Sequence, residues 1–183
     1  GGNLAMSHNG NLTNAAQLRR DLANDGVVFQ TTIDSEVVLS LIARSRKKTL
    51  PERVAEAADT IRGAFAILIM NDDQLIAFRD PYGFRPLCLG RLDHGWVVTS
   101  ETCALDLVGA HYVRDVKPGE MIVIDNEETE PKSIMYSTHV PAHCAHCIFE
   151  YVYFARPDSI IDGESVYQAR LNMGRILARE TKG

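Results

Sequence analysis

Apolar residues recur at three- and four-residue spacings over the first third of the chain. Ala15, Leu18 and Leu22 share one helical face, Thr13 or Asn14 stands where a cap belongs, and Asp25-Gly26 ends the pattern. The stretch "TTIDSEVVLSLIARS" predicts a second helix with Val37, Val38, Leu41 and Ile42 as its buried stripe. Asp34 and Glu36 fall in its first turn, where the helix dipole favours negative charge. A third helix begins at Pro51, carries Val54, Ala57, Ala58 and Ile61 on one face, and is closed by Gly63. Two short pieces complete this part: "SHNGNLTN", read as a polar turn, and "VVFQ", read as a strand.

The period then changes from helical to alternating. "AFAILIM", "QLIAFRD", "RPLCLGR", "GWVVTS", "AHYVRDV", "MIVID" and "KSIMYS" predict strands. Their connections are short, which makes neighbours antiparallel, and the expectation is a meander interrupted by one short helix, "ETCALDLVG". Helices followed by an antiparallel sheet give an α+β class. "EYVYF" reads as one more strand, and a last helix carries Val166, Ala169, Met173, Ile176 and Leu177 on its apolar stripe. A boundary is placed near Glu150, giving segments 1–150 and 151–183.

Composition narrows the function classes. The net charge of −5 argues against a nucleic-acid surface, which carries a basic patch. The longest apolar run, Ala64 to Met70, is far below the ~20 residues of a membrane-spanning helix. The four cysteines are not spaced as a secreted disulfide framework, so the expected location is the cytoplasm.

Several residues invite a chemical reading. In "HNG", the Asn9 amide and the Gly10 N–H can form an oxyanion hole, but Asn-Gly is also a common turn. Asp34 can cap its helix, bind a substrate ammonium, or do both. "RDPYGFRPL" reads as structural, with Arg79 and Asp80 able to pair. Cys88 and Cys103 read as packed residues, and Ser100 or Thr99 as the cap of the short helix. The cluster "HVPAHCAHCIFE" holds His139, His143, His146, Cys144 and Cys147. Its C-x-x-C spacing suits zinc or a redox dithiol, yet no second such pair stands elsewhere. A complete local zinc site is not expected; a site completed by other residues, or a non-catalytic metal-binding module, stays open.

In order, "HNGNLTN", "TTIDSEV", "GAFAILIM", "RDPYGFRPL", "SETCALDLVGA" and "VKPGE" resemble the class II glutamine amidotransferase domain. The continuation "FEYVYFARPDSIIDG" and "ESVYQARLNMGRILA" resembles the amidophosphoribosyltransferase family in particular. The resemblance implies an N-terminal-nucleophile hydrolase fold, two antiparallel sheets between helix layers in an αββα sandwich, followed by the start of a second α/β domain, the phosphoribosyltransferase. It implies that an N-terminal cysteine attacks glutamine, that Asn9 and Gly10 hold the oxyanion, and that Asp34 binds the glutamine α-amino group. His8 is placed in the same site loop as a substrate-binding candidate. Ammonia would then displace pyrophosphate from phosphoribosyl pyrophosphate, a reaction expected to use Mg2+ in the second domain.

Some members of that family carry an iron–sulfur cluster, and Cys147 matches one ligand position; Cys144 and the three histidines receive no role. A homo-oligomeric parent is implied. The resemblance also implies that this stretch begins inside the glutaminase domain and stops before the phosphoribosyl pyrophosphate loop. The nucleophile then lies outside it, and the 183-residue chain alone is expected to be inactive. The same glutaminase domain type occurs in glucosamine-6-phosphate synthase and asparagine synthetase, against which "FARPDS" argues.

Overall fold

The computed structural model describes residues 3–137 and 144–181. Among them the elements run, in order, β1 (Ala5–Leu12), α1 (Ala15–Asn24), α2 (Ser35–Arg44), α3 (Leu50–Thr60), β2 (Gly63–Met70), β3 (Gln74–Arg79), β4 (Cys88–Leu92) and β5 (Gly95–Thr99). Then come α4 (Thr102–Val108), β6 (His111–Asp115), β7 (Glu120–Asp125), β8 (Lys132–Met135), a π-helical turn Glu150–Phe154, β9 (Ile160–Ile161), β10 (Glu164–Ser165) and α5 (Val166–Glu180). The chain divides into two compact units, Gly1–Arg85 with Val116–Ala145 and Pro86–Asp115 with His146–Gly183.

In the first unit, five strands pair antiparallel in the order β1-β2-β3-β7-β8. Period-two alternation selects the core face. Phe65, Ile67 and Ile69 of β2 stand on it with Ile76 and Phe78 of β3 and Met121 and Val123 of β7. The register sets Ile67 opposite Phe78, Ile69 opposite Ile76 and Phe78 opposite Met121, so this face continues across three strands. The apolar stripes of α2 and α3 cover it through Val38, Ile42, Val54, Ala57 and Ala58. Phe65 meets Phe78 edge-on, with ring centres 5.9 Å apart.

The helix ends are satisfied in different ways. Thr49 and Glu52 form a reciprocal capping box on α3. Asn14 occupies the N-cap position of α1, but its amide instead donates to Thr60 O and accepts from Arg62 N. This ties the start of α1 to the end of α3.

In the second unit, β5-β4-β6 form a three-stranded antiparallel sheet. Leu105 of α4 packs with Cys88 and Ala110. Glu101, at the N-cap position of α4, accepts from Arg156 N at 2.8 Å and Ser159 Oγ at 2.7 Å. Thr102 Oγ1 accepts from Ile160 N at 2.8 Å. Arg170 of α5 donates to Tyr151 O and Ala155 O, both at 2.7 Å, closing the end of the π turn.

The α+β class holds, with several local corrections. "SHNGNLTN" is strand through Leu12 and not a loop, because its backbone pairs residue by residue with β2. "VVFQ" is irregular, and Glu36 instead gathers the nearby backbone by accepting from Gln30 N and Thr31 N. "EYVYF" is helical: Ala155 N reaches back five residues to Glu150 O. The expected single meander is two sheets, since β4 leaves β3 to pair with β5 and β6. Helix α3 ends at Thr60, so Gly63 belongs to β2. The N-cap position of α4 is Glu101, one residue past Ser100, and Thr99 Oγ1 accepts from its N–H.

Candidate functional site

The site candidates Asn9 and Gly10 lie near the end of β1, opposite Ala66 and Phe65 of β2. Gly10 has φ +145°, and a Cβ on it would overlap the Ala64 carbonyl. The close approach for which this position needs glycine is therefore to the neighbouring strand. Gly63 mirrors it at φ +144°, where a Cβ would overlap the Asn11 carbonyl. The two glycines let β1 and β2 run tightly together at the place where Asn9 and Gly10 sit. Asn9 and Gly10 are both exposed.

Strand alternation separates His8 from Asn9. His8 pairs with Ile67 on the helix-covered face, whereas Asn9 pairs with Ala66 on the other. The His8 side chain is 5% exposed and reaches the start of α2. There its Nδ1 lies 3.0 Å from Ser35 Oγ and 3.6 Å from Asp34 Oδ1. Ser35 donates its hydroxyl to Asp34 Oδ1 at 3.4 Å, which leaves the Ser35 oxygen free to accept from His8 Nδ1–H. In that arrangement Nε2 is a bare acceptor, and among the described residues it has no partner. Burial pushes the His8 pKa down, against the opposing pull of Asp34, so the imidazole is neutral at pH 7.

Asp34 holds the N-cap position of α2 but makes no side-chain cap bond. Its Oδ2 accepts from Leu12 N at 3.0 Å. The capping role that a carboxylate at a helix start suggests is not the one it performs. It ties α2 to the last residue of β1, two residues beyond Gly10. Its side chain remains 23% exposed. Sequence reasoning missed Ser35 and the Leu12 N–H. Their signal was faint: a serine beside an aspartate at a helix start reads as helix chemistry.

"RDPYGFRPL" is a structural knot. Arg79 is 1% exposed and donates from Nε to Arg85 O at 2.7 Å, from Nη1 to Val116 O at 2.9 Å and from Nη2 to Gly83 O at 2.9 Å. Asp80, fully buried, accepts from Phe65 N, Tyr82 N and Phe84 N. Burial raises its pKa, and these backbone bonds oppose the rise. Cys88 and Cys103 are buried, as packed residues should be.

The described members of the histidine–cysteine cluster are Cys144, His146 and Cys147. His139 and His143 lie outside the described residues. Cys144 belongs to the first unit, where a Cβ added at Gly83 would come within 2.7 Å of its sulfur. His146 belongs to the second and pairs with Asp162 at 2.8 Å. Cys147 is half-buried, and its carbonyl accepts from Glu150 N at the entrance of the π turn. Among the described residues no group of three or more His, Cys, Asp or Glu side chains could hold a metal ion. An iron–sulfur cluster takes four thiolates, so these residues do not by themselves fit one.

The family profile described as "Glutamine amidotransferase domain" matches residues 1–107, more than half of the chain. The chain belongs to the glutamine amidotransferase domain family. Its similarity to curated relatives runs further. It is 47% identical over 180 residues to the amidophosphoribosyltransferase of Bacillus subtilis and 45% identical over 182 residues to that of Archaeoglobus fulgidus. Each alignment covers 98% of this chain but only 37% and 39% of the relative, so the chain spans about two fifths of their length.

Among solved structures, this chain superposes with a TM-score of 0.93 and 46% identity on the B. subtilis glutamine phosphoribosylpyrophosphate amidotransferase complexed with ADP and GMP. That match covers all of this chain and 39% of the other. The N-terminal-nucleophile hydrolase type of α+β fold, expected from the sequence, is the fold of this relative. A glutamine aminotransferase class-II domain protein from Silicibacter pomeroyi, 18% identical with a TM-score of 0.51 over 73% of this chain, shares the fold alone. No helix among the described residues is long and apolar enough to cross a membrane.

Proposed function

We propose that this chain is the glutamine-handling part of an amidophosphoribosyltransferase. The parent enzyme hydrolyses glutamine and delivers the ammonia to phosphoribosyl pyrophosphate, giving 5-phosphoribosylamine, glutamate and pyrophosphate. The observation that carries the reading is the Leu12 N–Asp34 bond, which ties the ammonium-receptor candidate to the strand bearing Asn9 and Gly10. Residues 1–150 form the glutaminase part, and 151–183 lead into the phosphoribosyltransferase. The identity to amidophosphoribosyltransferases over nearly the whole chain supports that acceptor over those of other amidotransferases.

The chemistry follows from the residues. A thiolate, supplied from outside these residues, adds to the glutamine carboxamide carbon. The tetrahedral oxyanion is received by the Asn9 side-chain amide and the Gly10 N–H, donors whose effect is greatest where charge develops. Asp34 takes the substrate ammonium in a charge-assisted bond, which selects a free amino acid over a peptide-bound glutamine. Cys147 is proposed as one ligand of an iron–sulfur cluster whose other ligands come from elsewhere in the parent. Iron content unchanged by Cys147→Ser would remove it. A homo-oligomeric parent in the cytoplasm, where thiols stay reduced, completes the proposal.

The test uses the full-length protein, with pyrophosphate release driven either by glutamine or by added ammonia. Asn9→Ala should lower glutamine-driven kcat on the order of 10²–10³-fold and leave the ammonia-driven rate in place. Wild-type protein that releases no glutamate from glutamine would overturn the reading.

A further inference from the structure

We infer that His8 is a positioning residue for Asp34, holding the carboxylate in place through Ser35 without touching the substrate. The inference rests on the proposed role of Asp34 as receptor for the glutamine ammonium. Three observations carry it. The first is depth: the His8 side chain is 5% exposed and the Asp34 side chain 23%, so His8 is the deeper of the two. The second is side. Alternation along β1 puts His8 on the helix-covered face and Asn9 on the opposite one, which removes His8 from the oxyanion pair. The third is the direction in which Asp34 is used. Its carboxylate makes no cap bond to its own helix and is held from β1 at Oδ2 by Leu12 N, and from Ser35 at Oδ1.

Ser35 has a single hydroxyl proton. When that proton goes to Asp34, the Ser35 oxygen is left as an acceptor, and His8 Nδ1, 3.0 Å away, donates to it in the Nδ1–H tautomer. The relay His8 Nδ1–H to Ser35 Oγ–H to Asp34 Oδ1 therefore fixes the rotamer of the serine and the orientation of one carboxylate oxygen. A carboxylate so fixed from both oxygens can offer its remaining lone pairs to an ammonium in one orientation. The neutral imidazole suits this role, because it supports the carboxylate without a positive charge that would compete with the ammonium for Asp34.

The experiment compares glutamine with glutaramate, which is glutamine lacking the α-amino group, as substrates of the full-length protein. His8→Ala should lower kcat/KM for glutamine on the order of tenfold, mostly through KM, and lower that for glutaramate far less. His8→Asn, whose side-chain amide can donate from near the Nδ1 position, should recover most of the loss. Ser35→Ala, which deletes the middle of the relay, should show the same glutamine-specific loss and keeps the test open should His8→Ala not fold.

An equal fall for both substrates in His8→Ala and Ser35→Ala would overturn the inference in favour of a general packing role, and no change in either would overturn it outright. Failure of the underlying reading looks different. In that case the wild-type protein would fail to prefer glutamine, or Asp34→Asn would leave the preference intact.

Discussion

The His8 side chain shows how one buried group couples the site to acidity. Its pKa lies below the ordinary 6.5 in the folded chain, first because burial disfavours the cation; Asp34, the charged group that bears on it, pulls the other way. The unfolded chain therefore takes up the proton before the folded one does. Stability is fully present above about pH 6.5 and is lost as pH falls from there through the lower folded value. A melting series from about pH 8 down to about pH 5 should show a steeper acid decline for wild type than for His8→Asn, which has no proton to gain. Parallel curves would contradict a depressed His8. Arg79 illustrates the opposite solution at the same scale. Its charge is buried for good, because three backbone carbonyls of the first unit accept from it.

Among the elements, those with a clean hydrophobic period are legible in the sequence. Strands β2, β3 and β7 alternate, and the residues that alternate inward form the shared core face. Strand β1 was not legible, because "SHNGNL" carries turn residues in a strand. Its extended conformation comes from pairing with β2, and its polar residues serve purposes that periodicity does not report. "EYVYF" misled in the other direction: aromatic and β-branched residues favour strands, but the segment winds into a π turn, with Arg170 donating to the Tyr151 carbonyl and to that of Ala155 just beyond it.

The site divides in the same way. Asn9, Gly10 and Asp34 could be named as candidates from their resemblance to a family. The relay through Ser35 could not, since it depends on strand register and helix placement together.

The capping box on α3 was available in the sequence as Thr49-x-x-Glu52. Thr49→Ala should cost about 1 kcal/mol, read as a lower denaturation midpoint with an unchanged slope. A cost within error of zero would mean that tertiary packing alone sets the start of this helix.

Across the whole molecule, each compact unit is assembled from two stretches far apart in sequence. The chain passes between the units at Arg85/Pro86, Asp115/Val116 and Ala145/His146. In the second unit the stretches meet at Glu101, which takes Arg156 N and Ser159 Oγ, with Thr102 beside it holding Ile160 N. Glu101→Ala should therefore weaken the attachment of residues 156–160 by about 1 kcal/mol per lost bond. Hydrogen exchange on the full-length protein should show faster exchange at the Arg156 and Ile160 amides. Unchanged protection there would place the attachment in apolar packing instead.

Gly10 and Gly63, each lying under a carbonyl of the opposite strand, bear on how this chain tolerates length changes. Strands β1 and β2 are separated by the whole α1–α3 excursion, yet their alignment is written into their own backbones: only a glycine fits beneath each opposing carbonyl. At the present register a side chain at either position would meet that carbonyl, so Gly10→Ala or Gly63→Ala strains the pairing. The excursion thus behaves as a tether whose length is not a ruler. Extra residues spliced into the exposed bend at 46–49 would lengthen the tether while Asn9 and Gly10 kept their address on the sheet.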